Sequence, residues 1–199
     1  MKFIGLTMRA DKHPVYLEIR DGIDQAWFGL LAACGFTPIL LPNNLHTVQC
    51  YLNTLPISGI ILSGGNSPVK YGGDSMARDE VDEYLIHWAE QNRQPLLGVC
   101  RGMQSIQLAY AHDLAPISGH VMPKQNVVVN GSVSEVNSYH TLATKQCVHP
   151  LESWAHSEDG VIKAISHVQH KIHGIMWHPE RILPYRAWDI NFIQKVFSA

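Results

Sequence analysis

The chain is poor in charge. Only 16% of its 199 residues are Asp, Glu, Lys or Arg, and the formal net charge is −2. A nucleic-acid-binding protein carries a basic face, and 15 Lys and Arg against 17 Asp and Glu supply none. No nucleic-acid partner is expected. No apolar run approaches the roughly 20 residues that cross a bilayer, so no membrane association is expected either. The opening MKFIGLTMR reads as a strand followed by polar residues, not as a signal peptide. Cysteine is scarce: Cys34, Cys50, Cys100 and Cys147 show neither metal-like pairing nor the density of a disulfide framework. A reducing cytoplasm is the expected setting. Repeats, low-complexity stretches and linkers are absent, so residues 1–199 are expected to form a single domain, with 46% hydrophobic residues for its core.

Short apolar runs alternate with helical patterns. Phe3 to Met8, Pro38 to Leu41, Ser58 to Leu62 and Leu96 to Val99 read as buried strands. Helices are expected over about 21–34, 47–53, 78–91 and 186–197, with one more after residue 100. Arg9 to Pro14 reads as a polar loop. This alternation predicts a parallel sheet with helices on both faces. After the helix that follows residue 100 the pattern turns to valine-rich runs separated by Gly and Ser, expected as short strands and hairpins beside the main sheet.

The chemistry-bearing stretch is Pro95 to His112, PLLGVCRGMQSIQLAYAH. A strand runs into Gly98-Val99-Cys100-Arg101-Gly102, and a helix follows. A nucleophile on a sharp strand-to-helix turn needs small neighbours on both sides, and the glycines two before and two after Cys100 provide them. The helix N-terminus favours a thiolate, and the Arg101 amide points where an oxyanion would form. By residues alone Cys100 is equally readable as one more buried cysteine at a strand end. Gly174 to Arg181 supplies a base. Apolar residues lead into His178, Pro179 sets the chain direction, and Glu180 can turn back to orient the imidazole. Twelve histidines make any single one weak, but His-Pro-Glu after an apolar strand is uncommon.

GVCRGMQ and WHPER together resemble the class I glutamine amidotransferases, specifically the peptidase C26 branch of γ-glutamyl hydrolases. GIILSGGNSP, VNSYH and RDEVDEYLIHWAEQNRQPLLGVCRGMQ agree with that resemblance. It implies a flavodoxin-like, three-layer α/β fold: a mostly parallel central sheet flanked by helices, with a small antiparallel extension. It also implies a Cys100, His178, Glu180 triad and a second oxyanion donor at Gly65. Substrate contacts would come from Gln104, one turn beyond Cys100, and from Asn137, Ser138 and Tyr139. Ordinary helix packing reads Gln104 equally well, and a plain polar loop reads 137–140. Asn66 stands near where many members carry an aspartate.

The implied reaction is hydrolysis of a γ-glutamyl amide through a thioester, with glutamate and an amine released. No metal or other cofactor is needed. His112, His120, His140, His149, His156, His167, His170 and His173 show no convincing ligand motif. The small-molecule substrate is a γ-glutamyl compound, with members resembling γ-glutamyl-CDP-amidate hydrolases among the implied relatives. Three alternatives stand beside this reading: a glutaminase subunit feeding ammonia to a separate synthetase partner, a non-catalytic relative, and a chaperone or deglycase of the related cysteine-bearing type. Tyr16 to Asp21, with Trp27 behind it, and the Gly- and Pro-bearing loop from Ser67 to Ala77 are expected around a larger leaving group. Arg20 there is open to two roles, a phosphate contact or a surface ion pair.

Overall fold

A computed structural model describes residues 2–198. The first half of the chain contributes β1 (Lys2–Thr7), β2 (Arg9–Lys12), β3 (Ile19–Gly22), α1 (Ala26–Ala33), β4 (Phe36–Leu41), α2 (Leu45–Thr54), β5 (Ile57–Leu62), α3 (Met76–Gln91), β6 (Leu96–Val99) and α4 (Arg101–Ala109). The second half contributes β7 (Ala115–Pro116), β8 (Val121–Val129), β9 (Ser132–Tyr139), β10 (Leu142–Ala143), β11 (Leu151–Ser157), β12 (Ile162–His167), β13 (Ile172–Ile175) and α5 (Ala187–Phe197).

One nine-stranded sheet organises the molecule, in the order β4-β1-β5-β6-β13-β12-β11-β8-β9. The first five strands are parallel. The remaining joins are antiparallel. The valine-rich runs therefore continue the main sheet; they do not sit beside it. Alternation along the buried strands sends neighbours to opposite faces. Ile61 and Leu97 join Trp27, Leu30, Ile193 and Phe197 beneath α1 and α5. Ile60, Leu62 and Leu96 join Val48, Val81, Leu85, Met103 and Ile106 beneath α2, α3 and α4. The result is three layers. Because β1 lies between β4 and β5, the chain winds to one side and then the other, and such a reversal opens a crevice at the strands' carboxyl ends.

The N-terminal region departs from the expected pattern. Arg9–Lys12 is not a loop: it pairs antiparallel with Ile19–Gly22 as a hairpin. The first helix starts at Ala26 instead of Asp21. The Asp21 carboxylate is occupied by the Asn43 backbone amide at 2.9 Å and side-chain amide at 2.7 Å. Asp24, not Asp21, receives the Ala26 amide. The 67–75 loop is tied down: the Val69 amide donates to Asp79 at 2.8 Å, the Tyr71 hydroxyl receives the Leu114 amide at 2.9 Å, and Lys12 pairs with Asp74.

Candidate active site

Thr7, Leu62 and Val99 end three adjacent parallel strands, and the segments that follow them converge. Leu62 leads to Ser63-Gly64-Gly65. Val99 leads to Cys100, whose φ of 53° and ψ of −105° lie outside the regions a cysteine ordinarily occupies. A strained backbone of this kind is held only by tight surroundings. The two glycines of the turn show why they must be glycine. A Cβ on Gly98 would lie 2.5 Å from the Gly102 backbone, and one on Gly102 would lie 2.1 Å from the Leu62 carbonyl oxygen.

His178 arrives from β13 through Met176 and Trp177. Its Nδ1 is 2.7 Å from Glu180 Oε1, and both side chains are buried. Pro179 opens the single helical turn that swings Glu180 back. The Asn137 side chain clasps the backbone of His178, accepting from its amide at 2.7 Å and donating to its carbonyl at 2.8 Å. Gly64 sits against both partners: a Cβ there would be 2.7 Å from His178 Cε1 and 3.5 Å from Cys100 Cβ. Burial pulls the His178 pKa down, but Cys100 and the Glu180 carboxylate outweigh it and leave it raised to about 9. The imidazole is thus held as a proton donor at neutral pH. Burial, helped by Asp189, pushes the Cys34 thiol up to about 11, away from reactivity.

Two cavities meet at Gly65. One, of about 300 Å³, is lined by Gly65, Cys100, Arg101, Gln104, Tyr139 and Leu142, among others. The other, of about 350 Å³, is lined by Arg9, Asp11, Trp27, Gly64, Glu180 and Arg181, among others. Gln104 borders the first and donates to the Leu142 carbonyl at 2.9 Å. Tyr139 borders it too, with its ring 5.9 Å from that of His178.

The side chains of Asn137 and Ser138 do not line this cavity. Asn137 is spent on His178, and the buried Ser138 hydroxyl donates to the His120 carbonyl at 2.8 Å. Tyr16 to Arg20 also misses the second cavity. That segment forms the exposed end of the β2–β3 hairpin, where Arg20 pairs with Glu18. The cavity is lined instead by the base of the hairpin, through Arg9, Asp11 and Gly22.

Sequence reasoning passed over two buried cations near the site, Arg78 and Lys163, and used only the amide of a third, Arg101. Arg78, Arg101 and Lys163 are all buried. Arg101 is held by Asp79 and Asp82. Lys163 donates to Ser138 Oγ at 3.0 Å and to His140 Nε2 at 2.7 Å. His140 Nδ1 faces the Leu142 carbonyl, so Nε2 is the acceptor, and burial together with Lys163 lowers its pKa to about 3. The signal for Arg78, Asp79 and Asp82 was present as charged residues inside the RDEVD stretch, at a helix start where acidic residues are usually read as ordinary dipole partners.

Among the described residues, one group has metal-ligand types close together: Glu90, His167 and His170. His167 Nδ1 accepts from the Gln169 and His170 amides at 3.0 and 3.1 Å. The neutral ring therefore carries its proton on Nε2, and that nitrogen offers no lone pair to a metal in this arrangement.

The profile of the family described as Glutamine amidotransferase class-I matches residues 15–193. The chain belongs to this family. It is similar to the γ-glutamyl-CDP-amidate hydrolase of Campylobacter jejuni, with 32% identity over 184 residues and 90% of each chain covered. It is also similar to the γ-glutamyl-γ-aminobutyrate hydrolase of Escherichia coli O157:H7, at 28% identity, with 79% of this chain and 78% of the relative covered. In fold it is similar to the crystal structure of a glutamine amidotransferase from Thermotoga maritima. There the TM-score is 0.68 at 13% identity, covering 90% of this chain and 76% of the other.

Proposed function

We propose that this member of the family hydrolyses a γ-glutamyl amide whose amine is larger than ammonia, with Cys100, His178 and Glu180 as its catalytic residues. The observation that carries the reading is the junction at Gly64. There a cysteine on a strained strand-to-helix turn meets a histidine that is itself held by a buried glutamate 2.7 Å away. Nucleophile, base and orienter in mutual reach define a covalent acyl-transfer site.

In this mechanism Cys100 attacks the γ-carbonyl carbon, and the electron pair moves to oxygen. The amides of Gly65 and Arg101 receive that oxyanion. The C–N bond then breaks as His178 gives its proton to the departing amine, leaving a γ-glutamyl thioester. Water attacks the thioester, His178 takes the water's proton, and the C–S bond breaks to release glutamate and regenerate the thiolate. The cavity bordered by Gln104 and Tyr139 suits the glutamyl group. The cavity on the other side of Gly65 suits the leaving amine, and two guanidinium groups, of Arg9 and Arg181, line it. Both are paired with carboxylates that line the same cavity, Arg9 with Asp11 and Arg181 with Asp24 and Glu180, so an anionic leaving group reaches them by displacing Asp11 and Asp24. The name of the Campylobacter jejuni relative supports a nucleotide-bearing amine, and the matching coverage of the two chains supports the same site layout.

The test is a panel of γ-glutamyl conjugates, glutamine included, assayed with the purified chain for glutamate release. Remote contacts to a larger amine lower the barrier at the scissile bond. The specificity constant for a phosphate-bearing conjugate should therefore exceed that for glutamine by about 100-fold or more, equivalent to roughly 2.7 kcal/mol. A preference for glutamine, or activity appearing only when a synthetase is added, would favour the ammonia-supplying role instead.

A further inference from the structure

Arg78 is buried without a carboxylate partner at hydrogen-bonding distance. It sits in the first turn of α3, fully covered, and its guanidinium points at the glycine loop. One terminal nitrogen donates to the Ser63 carbonyl at 2.7 Å and the Gly64 carbonyl at 3.0 Å. The other donates to the Gly65 carbonyl and to Asn66 Oδ1 at 2.9 Å. Three consecutive peptide carbonyls thus converge on one cation.

A trans peptide is planar, with its carbonyl and N–H pointing in opposite directions. Fixing the Gly64 carbonyl on Arg78 therefore turns the Gly65 N–H away from Arg78, toward the side where Cys100 and His178 approach Gly64. Among the described residues that N–H meets no backbone or side-chain acceptor. An N–H left without a partner at a cavity wall is a donor in waiting. Glycine at both positions makes the peptide easy to rotate. Gly65 has φ of 87°, where either orientation of the neighbouring peptide is open to it. Without a clamp, the Gly64 carbonyl could turn inward and present an acceptor to a developing anion. The same end of α3 anchors the opposite donor: Asp79 and Asp82 hold Arg101, whose own amide begins α4.

We propose that Arg78 is the positioning residue of the oxyanion site, holding the Gly64–Gly65 peptide so that the Gly65 amide faces the reacting carbonyl. This role rests on the γ-glutamyl hydrolase reading above. It assigns no contact between Arg78 and substrate. Its cost is a buried cation whose hydrogen-bond partners are all neutral, three peptide carbonyls with the Asn66 and Ser63 side chains, and burial lowers its pKa to about 10. It therefore stays charged at neutral pH.

The experiment compares parent, Arg78→Lys and Arg78→Ala by three measurements. These are turnover of a γ-glutamyl anilide, inhibition by glutamate γ-semialdehyde, which forms a tetrahedral thiohemiacetal on the cysteine, and alkylation of Cys100 by iodoacetamide. Removing one oxyanion donor lowers kcat by about 100-fold or more. Arg78→Lys should lose that much in kcat and in aldehyde affinity, with KM and the alkylation rate within about threefold of the parent. Guanidinium ion added to Arg78→Ala should restore part of the kcat. A variant that folds by circular dichroism and matches the parent in kcat and aldehyde affinity overturns the role. So does one that loses alkylation in the same proportion, since that marks general damage. If neither variant accumulates, the parent labelled with ¹⁵N-glycine decides: the Gly65 amide proton should move downfield on aldehyde binding, and an unmoved signal overturns the proposal. A parent that neither turns over γ-glutamyl amides nor binds the aldehyde would sink the functional reading itself, and this role with it.

Discussion

At the scale of single residues, the proposed reaction depends on the protonation of His178. Its pKa is raised to about 9 because the charges of Cys100 and Glu180 outweigh the burial that opposes them. Proton donation to the leaving amine needs the imidazolium. The kcat/KM profile, which reports the free enzyme, should therefore decline above about pH 9. The measurement is kcat/KM for one γ-glutamyl anilide across pH 6 to 10.5, and a flat profile to the upper end would remove His178 from the donor role. Other residues were legible only in part. Cys100 and its flanking glycines could be recognised from spacing. Asn137 could be named but its task could not, because nothing local says that its amide grips the backbone of a residue 41 positions away.

At the scale of elements, the turn carrying Cys100 is held by close backbone packing. The Gly102 backbone lies under the Leu62 carbonyl and against Gly98. Gly102→Ala would push β5 and α4 apart, and overpacking of this kind costs about 3 kcal/mol. Urea unfolding should show a clearly lower midpoint with an unchanged slope, and an equal midpoint would mean that the turn relaxes freely. The elements themselves were largely readable, since apolar runs of four to six residues separated by helical periodicity describe a parallel sheet. The β2–β3 hairpin was not. Its strands carry mostly polar, exposed residues, with Ala10 alone buried, so no core-facing alternation announces them. They exist because Asn66 of the glycine loop bonds both the amide and the carbonyl of Ala10, at 2.9 and 2.8 Å, and carries β2 with it.

At the scale of the whole molecule, buried histidines tie stability to pH. His140 sits neutral between Lys163 and the Leu142 carbonyl, with its pKa lowered to about 3. Burial also lowers His167 and His173. For a histidine depressed in the fold, the unfolded chain takes up a proton near pH 6.5 while the folded chain does not. Its contribution is present above about pH 6.5 and is lost as pH falls toward the folded value. His178, raised in the fold, has the opposite sign: its contribution is present below about pH 6.5 and is lost as pH rises through about 9. Tm should therefore peak near pH 6.5, and His140→Gln, which can still accept from Lys163, should flatten the acid side. A Tm that stays constant between pH 4 and 7 would refute this.

The sequence by itself determined the layering, the strand-to-helix turn at Cys100 and the His-Pro-Glu segment, because each depends on neighbours within a few positions: apolar period, glycine placement and a proline-set direction. Tertiary structure alone decided which polar groups face the cavities. Ser138 and Asn137 were turned inward by Lys163 and His178, Arg9 was carried to the cavity by a hairpin docked on Asn66, and Arg78 met the glycine loop at the carboxyl end of β5. A buried polar group must find a partner wherever the fold brings one. That partner is set by the packing of distant segments, which no local spacing encodes.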